Sequence, residues 1–436
     1  MPELSPTQYN ELRPYHERLP RQLRQLAPFG PVAVTAEAGI FPDIPDDLVS
    51  RADRDVTPAD WQRLHQDAVG DPLSGYGYDS PARRDILAIE KAAQRLGVAG
   101  VATLNHYALA VLRAQQAMAG VVVRTDFSPY TSTSTGSRIS LNLKHDADQP
   151  IGAFKLRGAY NKMRHLSDEQ RAGGVIAASA GNHAQGVAYS AQLLNTRATL
   201  VMPTTTPRVK VAAVEAYGAQ VVLMGTSFEA ANRYSRQLLH DCPTLSVIDP
   251  FDDEQVMIGQ ATLAAELLQQ NSDFTHLFVP VGGGGLFAGV ARYLHAVRPD
   301  VRVIGVEPLG ANGMTRSLQA AVYTQSPSLK TVAEGAAAQP GRQTFKALQS
   351  VVSADAMVNV SDRSIARAVV ELHQHGLPTE ATGAVALAGL WQYVQQHGDG
   401  GKFAVLRSGK NIDASKLEYL YELAEFQQID QRLVVV

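Results

Sequence analysis

The chain has 436 residues, of which 45% are hydrophobic and 19% charged, and its formal net charge at pH 7 is −3. A chain of this length and composition can build two or three domains with sizeable cores, which excludes wholesale disorder. The small negative charge excludes the basic surface typical of nucleic-acid binding, and the single Cys242 excludes an intrachain disulfide or a cysteine-based metal site.

Secretion and membrane insertion are not expected. Glu, Arg or Pro interrupts residues 1–25 every few positions, so this segment lacks the apolar core of a signal peptide. No uncharged apolar stretch reaches the length of about 20 residues that a transmembrane helix needs. No run of Lys and Arg indicates binding to a membrane surface. We therefore expect a cytoplasmic protein.

Residues 1–115 form an N-terminal extension in which Pro-rich and acidic stretches separate short helical patterns. One helix is predicted to start at Ser80 with Pro81 in its first turn, and another is predicted over 105–118. The extension contains no catalytic motif. It is predicted to be mainly helical, and the sequence assigns it no role.

From Val121 onward, short apolar runs alternate with longer segments of helical periodicity. Strands of about five residues between helices of ten or more predict parallel sheets built from βαβ units. Two such sets follow one another, so we predict an α/β fold with two open sheets and a ligand crevice at the carboxyl ends of the strands. The predicted strands are 175–178, 198–202, 220–224, 245–248, 276–281, 301–306 and 403–406. The predicted helices are 183–194, 208–217, 227–239, 255–270, 286–297, 363–375, 382–396 and 414–426.

Within the segment 153–160, Lys155 lies where an extended entry turns into a helix-forming run. Apolar neighbours and the nearby Arg157 would both lower the pKa of its amine, and a neutral amine can condense with an aldehyde to form a Schiff base. Taken alone, a lysine in such a segment is far more often a surface side chain with a buried stem. Its assignment as a nucleophile depends on the other motifs.

Four glycines, Gly282–Gly285, lie between a predicted strand and a predicted helix. Glycine N–H groups can close around an anion, and the helix start favours negative charge, so this loop predicts a phosphate site. The Lys-Ser/Thr ending of a P-loop is missing, which disfavours a nucleoside triphosphate. A dinucleotide site is the alternative, because Glu307 at the end of the next strand could receive a ribose hydroxyl.

Two further turns follow predicted strands. In the turn 179–183, Ser179 and the exposed N–H groups can bind a carboxylate, and the amide of Asn182 can donate to a phenolate oxygen. His183 needs no catalytic role there. In the second turn, the hydroxyl of Ser408 can meet a ring nitrogen without forcing that nitrogen to hold a proton, which favours quick elimination over long-lived carbanion chemistry.

In this order, the lysine, asparagine turn, glycine loop and Ser-Gly turn resemble the serine/threonine dehydratases among the tryptophan-synthase-β-like, fold-type II pyridoxal phosphate enzymes. The resemblance covers about residues 121–423. It implies a large cofactor-binding domain formed by 116–165 and 250–436 and a small α/β domain formed by 166–249. The motifs that carry it are 154–160, 179–186, 202–203 with Lys210, 279–286 and 305–308.

The resemblance also implies roles for individual residues. Lys155 would bind pyridoxal 5'-phosphate and move the α-proton of the substrate. The other cofactor residues would be Phe154 beside the ring, Asn182 at O3′, Gly282, Gly283, Gly284, Gly285 and Leu286 at the phosphate, and Ser408 at the ring nitrogen. Ser179 and the N–H groups of Asn182 and His183 would hold the substrate carboxylate. The segment 380–384 and Lys410 depart from the family pattern.

The activity implied by the resemblance is elimination of a β-hydroxyl from L-threonine, and from L-serine, to give 2-oxobutanoate or pyruvate and ammonia. A homo-oligomer, either dimer or tetramer, is the expected assembly. Alternatives within the fold type are a 3-hydroxyaspartate dehydratase, a serine racemase and a diaminopropionate ammonia-lyase. Outside it, an NAD-type oxidoreductase would need another explanation for Lys155 and Ser408. A relative that has lost catalysis is disfavoured because Lys155, Asn182 and Ser408 are intact.

Three departures from relatives lead to further expectations. Biosynthetic threonine dehydratases carry a C-terminal regulatory domain, whereas this sequence ends soon after Asp413, so isoleucine feedback is not expected. Cation-using relatives have a carboxylate where this chain has Gly313, so no metal site is expected there. Racemases that resemble this chain have a serine at the position of Ala180, so little racemisation is expected.

Overall fold

The computed structural model describes residues 106–133 and 138–433. The predicted helix at Ser80 and most of the N-terminal extension therefore lie outside the described residues. The predicted helix 105–118 is confirmed as α1, His106–Ala117.

The remaining elements follow in the order that the sequence predicts. Three strands are added to the predicted ones, and three helices are added to the predicted helices and to the helix-forming run at Lys155. The strands are β1 Phe127–Ser132, β2 Ile139–Lys144, β3 Val175–Ala178, β4 Ala198–Met202, β5 Gln220–Leu223, β6 Ser246–Val247, β7 His276–Pro280, β8 Arg302–Pro308, β9 Met357–Val360 and β10 Phe403–Leu406. The helices after α1 are α2 Lys155–Arg164, α3 Asp168–Gly173, α4 Asn182–Leu193, α5 Arg208–Glu215, α6 Phe228–Asp241, α7 Glu254–Gln270, α8 Gly285–Val297, α9 Gly313–Ala320, α10 Arg342–Leu348, α11 Asp362–Gln374, α12 Ala381–His397 and α13 Ala414–Leu433.

Both sheets belong to one compact unit, Ala114–Arg292 with Asp300–Val436. The described residues of the other unit are 106–113 and Tyr293–Pro299. Strands β3–β6 fall within residues 166–249, and the other strands fall outside that range. The boundaries of a large and a small domain at these positions stay a prediction.

The larger sheet has six strands in the order β1-β2-β10-β7-β8-β9. All neighbouring strands are parallel except β1 and β2, which pair antiparallel with Phe127 opposite Lys144. The sequence did not predict this pair, because β1 contains Ser, Pro and Thr instead of an apolar run. Proline is tolerated in an edge strand, which is where β1 lies.

The smaller sheet has four parallel strands in the order β5-β4-β3-β6. Strands β3 and β4 have the predicted bounds because each is a short apolar run. β6 is shorter than predicted, since only Ser246 and Val247 pair with β3. The prediction of two open α/β sheets is confirmed.

Alternate residues of β3 pack on opposite faces of the smaller sheet, as the two-residue period of a strand requires. Val175 and Ala177 pack with the small apolar residues of α4 and with Val211 of α5. Ile176 packs with Ala231 of α6 on the other face. Helices therefore cover both faces, and the strands need no polar face.

Helix α12 forms much of the core against the larger sheet. Its alanine-rich sequence allows close packing, and a side chain on Gly389 would come within 2.4 Å of Val306 on β8. The apolar residues of α12 are buried against the sheet and against α11. No helix in the described part of the chain is both long and apolar enough to cross a membrane.

Candidate active site

Lys155 is the first residue of α2 and lies beside the loop that follows β10. The N–H of Phe154 donates to the carbonyl of Ser408 at 3.0 Å, and Ala153 forms an antiparallel bridge with Gly409. These contacts attach the start of α2 to the carboxyl end of an interior strand of the larger sheet. Lys155 and Ser408, distant in sequence, are thereby brought together.

The amine of Lys155 donates a hydrogen bond to the carbonyl of Pro250 at 2.8 Å. Burial lowers its pKa from the ordinary 10.5 to about 8, although the carboxylates of Asp249 and Glu380 favour the charged form. Lys155 Nζ also lies 5.2 Å from the ring centroid of Phe154. A substantial fraction of this amine is therefore neutral near physiological pH.

Arg157 does not supply the cation that the sequence placed near Lys155. Its guanidinium is buried and binds Asp146 at 2.7 Å and Glu266 at 2.9 Å. Lys144, also buried, pairs with the same Glu266. The two carboxylates raise the pKa of Arg157 above its ordinary value despite burial. This balanced cluster joins α2 to α7. It had no local signal in the sequence, because Glu266 lies more than 100 residues from the other three members.

Asn182, the first residue of α4, is held by two side chains from the larger sheet's loops. Its Nδ2 donates to Oε1 of Glu380 at 2.7 Å, and its Oδ1 accepts from Nδ2 of Asn411 at 2.8 Å. Burial raises the pKa of Glu380 to about 7, although the bond from Asn182 opposes this shift. In the sequence, Glu380 is visible only as part of the segment 380–384, which departs from the family pattern, and nothing there connects it with Asn182.

Ser179 and His183 flank the same turn in different environments. Ser179 is partly exposed, and its Oγ accepts from the N–H of Gly181 at 3.3 Å. His183 is buried, and its Nε2 donates to the carbonyl of Ile248 at 2.8 Å. Burial lowers the pKa of His183 to about 3, so the ring is neutral. Its side chain serves the fold, as the sequence indicated.

Ser408 is 1% exposed, and its Oγ has no hydrogen-bond partner among the described residues. A buried hydroxyl without a partner costs about 1–3 kcal/mol, so such atoms in folded proteins call for an explanation. An acceptor or donor on a bound group would provide one. This hydroxyl therefore fits a ligand ring nitrogen at the end of β10.

The loop Gly282–Gly285 connects β7 to α8 and leaves no room for side chains. A Cβ on Gly283 would come within 2.4 Å of the Phe251 ring, and one on Gly285 within 2.7 Å of the Phe251 carbonyl oxygen. Gly284 has a φ of +98°, which favours glycine. Leu286, in the first turn of α8, is buried. The bare backbone of this loop at a helix start suits a phosphate.

Glu307, considered as a ribose ligand, is engaged with the start of α9. Its buried carboxylate accepts from the N–H groups of Met314 at 2.9 Å and Thr315 at 2.7 Å, and from the Thr315 hydroxyl at 2.6 Å. Burial raises its pKa to about 7. Gly313 adds no ligand beside it, and the described residues contain no cluster of three or more metal-binding side chains.

These residues together form a candidate site for a phosphorylated aldehyde on an α/β scaffold. They comprise a lysine of lowered pKa, an asparagine at a helix start, a glycine loop without side chains, and a buried serine hydroxyl without a partner among the described residues. Residues 121–409 match the sequence profile of the pyridoxal-phosphate dependent enzymes. The chain belongs to this family, whose cofactor is pyridoxal 5'-phosphate, and the dinucleotide alternative is wrong.

Curated relatives carry more specific names. The chain is 44% identical to a threonine dehydratase of Nicotiana attenuata over 286 residues, which cover 65% of this chain and 47% of that protein. It is 37% identical to a biosynthetic L-threonine dehydratase of Burkholderia multivorans over 323 residues, which cover 72% of this chain and 63% of that protein. The chain thus spans about half to three-fifths of the length of these relatives.

Solved structures give the same result for the fold. The processed form of threonine deaminase isoform 2 from Solanum lycopersicum matches with a TM-score of 0.69 and 38% identity, covering 73% of this chain and 88% of that one. Maize serine racemase matches with a TM-score of 0.65 and 31% identity, and the match covers 73% of this chain and 98% of the racemase chain. The resemblance inferred from the motifs is confirmed for family, fold and cofactor, while the roles of single residues stay predictions.

Proposed function

We propose that the chain is a pyridoxal-phosphate dependent ammonia-lyase that converts L-threonine, and L-serine, to 2-oxobutanoate or pyruvate and ammonia. One observation carries the proposal: an amine with a pKa of about 8, on Lys155, lies in a segment that is hydrogen-bonded to the loop of Ser408. The buried hydroxyl of Ser408 has no partner among the described residues. The similarity to threonine dehydratases and to a threonine deaminase supports the choice of substrate.

The residues present fit the cofactor. Lys155 would hold its aldehyde carbon, and Phe154 would flank the ring. Asn182 would donate to the ring oxygen after exchanging its bond with Glu380. Gly282–Gly285 and Leu286 would hold the phosphate, and Ser408 would bind the ring nitrogen. When bound, pyridoxal phosphate supplies the electron-withdrawing ring that makes the α-hydrogen of an amino acid acidic.

Lys155 would move the α-proton. An amine with a pKa of about 8 can both accept and return a proton near neutral pH, which is the condition for efficient general acid–base catalysis. The carbonyl of Pro250, which now accepts from Lys155 Nζ, gives the amine a resting position close to the site. Ser408, a neutral group, would leave the ring nitrogen unprotonated and so favour rapid loss of the β-hydroxyl.

The substrate carboxylate would bind at the start of α4. The first N–H groups of a helix have no partners within it and attract anions. Ser179 adds a partly exposed hydroxyl on the same turn. The N–H groups of Asn182 and His183 belong to this start, while the His183 ring points to Ile248 and leaves them clear.

We test the function by supplying the purified protein with pyridoxal phosphate and measuring 2-oxo acid release from four substrates: L-threonine, L-serine, 3-hydroxyaspartate and 2,3-diaminopropionate. L-Threonine is expected to have the highest kcat/KM. Lys155→Ala should lower the rate by at least about 1,000-fold, since the proton carrier is lost. A higher kcat/KM for 3-hydroxyaspartate or diaminopropionate would overturn the substrate assignment.

We also propose that the protein acts as a homo-oligomer, dimer or tetramer, in the cytoplasm, on a small amino acid and without a nucleic-acid partner. The small net charge and the similarity to threonine dehydratases support this. Light scattering on the eluting protein measures the assembly, and a species of 46.9 kDa at working concentration would contradict it.

A further inference from the structure

The glycine loop is held from outside by the start of α10. The carbonyl of Gly283 accepts from the N–H of Gly341 at 2.9 Å and from Oγ1 of Thr344 at 2.7 Å. Thr344 is fully buried, and among the described residues its single hydroxyl proton has one other acceptor, the Gly341 carbonyl at 3.1 Å. The shorter contact assigns that proton to Gly283. Two donors from a distant segment therefore fix one carbonyl of the loop.

Fixing this carbonyl also fixes the N–H that follows it. The Gly283–Gly284 peptide is trans, so its C=O and N–H point in opposite directions. With the oxygen bound to α10, the N–H of Gly284 points to the opposite side of the loop. A Cβ on Gly284 would come within 2.8 Å of Thr344 Oγ1, so Thr344 can pack this closely only because residue 284 is a glycine.

Asp252 places Thr344 for this contact. Its Oδ1 accepts from the N–H groups of Gln343 at 2.8 Å and Thr344 at 3.0 Å, and its Oδ2 accepts from that of Arg342 at 3.1 Å. One carboxylate thus binds three N–H groups at the start of α10. A carboxylate there is also favoured by the helix dipole.

Asp252 belongs to a short segment that contacts both halves of the site. In this segment Asp249 Oδ1 accepts from the N–H of Asp252 at 2.7 Å, and the Pro250 carbonyl accepts from Lys155. The Phe251 ring lies against Gly283. The segment 249–252 therefore connects the lysine with the glycine loop and with α10.

We propose that Thr344, carried by Asp252, is a positioning residue that presets the Gly283–Gly284 peptide so that the Gly284 N–H faces the phosphate of the cofactor. The inference rests on the proposed role of the glycine loop. A donor that is already oriented binds an anion without a further ordering cost, so its loss weakens binding of the phosphate group. A purely structural Thr344 would instead affect every ligand of the site alike.

The test compares the dissociation constants of pyridoxal phosphate and of pyridoxal, which lacks the phosphate, for the full-length protein. Thr344→Val keeps the shape and removes the hydroxyl, and Thr344→Ser keeps the hydroxyl. Thr344→Val should weaken pyridoxal phosphate binding about tenfold and pyridoxal binding less than about twofold, and Thr344→Ser should restore most of the loss. Ser190→Ala is the matched control, because it removes a buried hydroxyl bond on α4, remote in sequence from the loop.

If Thr344→Val proves unstable, Asp252→Asn provides the second variant, since an amide nitrogen cannot accept from Arg342. It should show the same phosphate-selective weakening. The inference is overturned if either variant binds pyridoxal phosphate as the wild type does, or loses both ligands equally. If the wild type itself binds both ligands equally, the proposed phosphate role of the glycine loop fails as well. The wild-type comparison thus tests the glycine loop, and the variants test the positioning role of Thr344.

Discussion

At the scale of single residues, burial gives Lys155 an amine that loses its proton near physiological pH. Its pKa is lowered to about 8 from 10.5, so the neutral fraction rises with pH and is nearly complete above pH 9. The rate at which cofactor-free protein captures pyridoxal phosphate should therefore increase about tenfold from pH 6 to 7 and level off above about pH 9. The reference is the reaction of pyridoxal phosphate with free lysine whose α-amine is blocked, so that only a side-chain amine of ordinary pKa reacts. Continued steep increase between pH 9 and 10 would contradict the lowered pKa.

Ala180 bears on the choice between elimination and racemisation. Racemisation needs a second acid or base on the face opposite the lysine, and a methyl group can neither donate nor accept a proton. L-Serine should therefore give pyruvate with D-serine near background. Ala180→Ser should raise the ratio of D-serine to pyruvate by about tenfold or more, measured by separating the enantiomers. Abundant D-serine from the wild type, or an unchanged ratio in the variant, would count against this reading.

At the scale of secondary-structure elements, the buried charge cluster holds α2, and with it Lys155, against α7. Arg157→Ala leaves Asp146 and Glu266 with one fewer partner in a buried environment, so the free energy of unfolding should fall by about 3–5 kcal/mol. Arg302→Ala is the control, because its pair with Asp355 is largely exposed and should contribute about 0–1 kcal/mol. Urea unfolding measures the free energy of unfolding of both variants. Equal decreases would show that the buried cluster stabilises the fold no more than the exposed pair does.

The elements also show what the sequence could reveal. Strands such as β3, β4 and β10 were predicted because a buried parallel strand is a short apolar run between helices. β1 was missed because its mixed composition is that of an edge strand. β9 was missed because it has only four residues, and the polar Asn359 interrupts its apolar run. Lys155, Asn182, Ser408 and the glycine loop could be named as candidates because each lies in a short local motif.

Contacts between distant segments had no such signal. The hydrogen bonds from Asn182 to Glu380 and from Thr344 to Gly283 join residues that no spacing rule connects. The unpartnered state of the Ser408 hydroxyl is likewise a property of packing, which sequence alone does not specify. Local chemistry was therefore predictable, whereas the groups that position it were not.

At the scale of the whole molecule, the turn after β3 of the smaller sheet contacts loops of the larger sheet, and we propose that the site is assembled from both. The smaller sheet supplies the turn with Asn182, and the larger sheet supplies Lys155, the glycine loop and Ser408. Asn411 and Glu380 bind Asn182 across this junction. The arrangement follows the general rule that ligands of parallel sheets bind at the carboxyl ends of the strands.

We propose that Lys155 holds the cofactor at this junction. Borohydride reduction of the purified yellow protein, followed by peptide mapping by mass spectrometry, tests it most directly. The pyridoxyl label is expected on Lys155 alone and should be lost in Lys155→Ala. A label on any other lysine, or a colourless protein that takes up no pyridoxal phosphate, would contradict it.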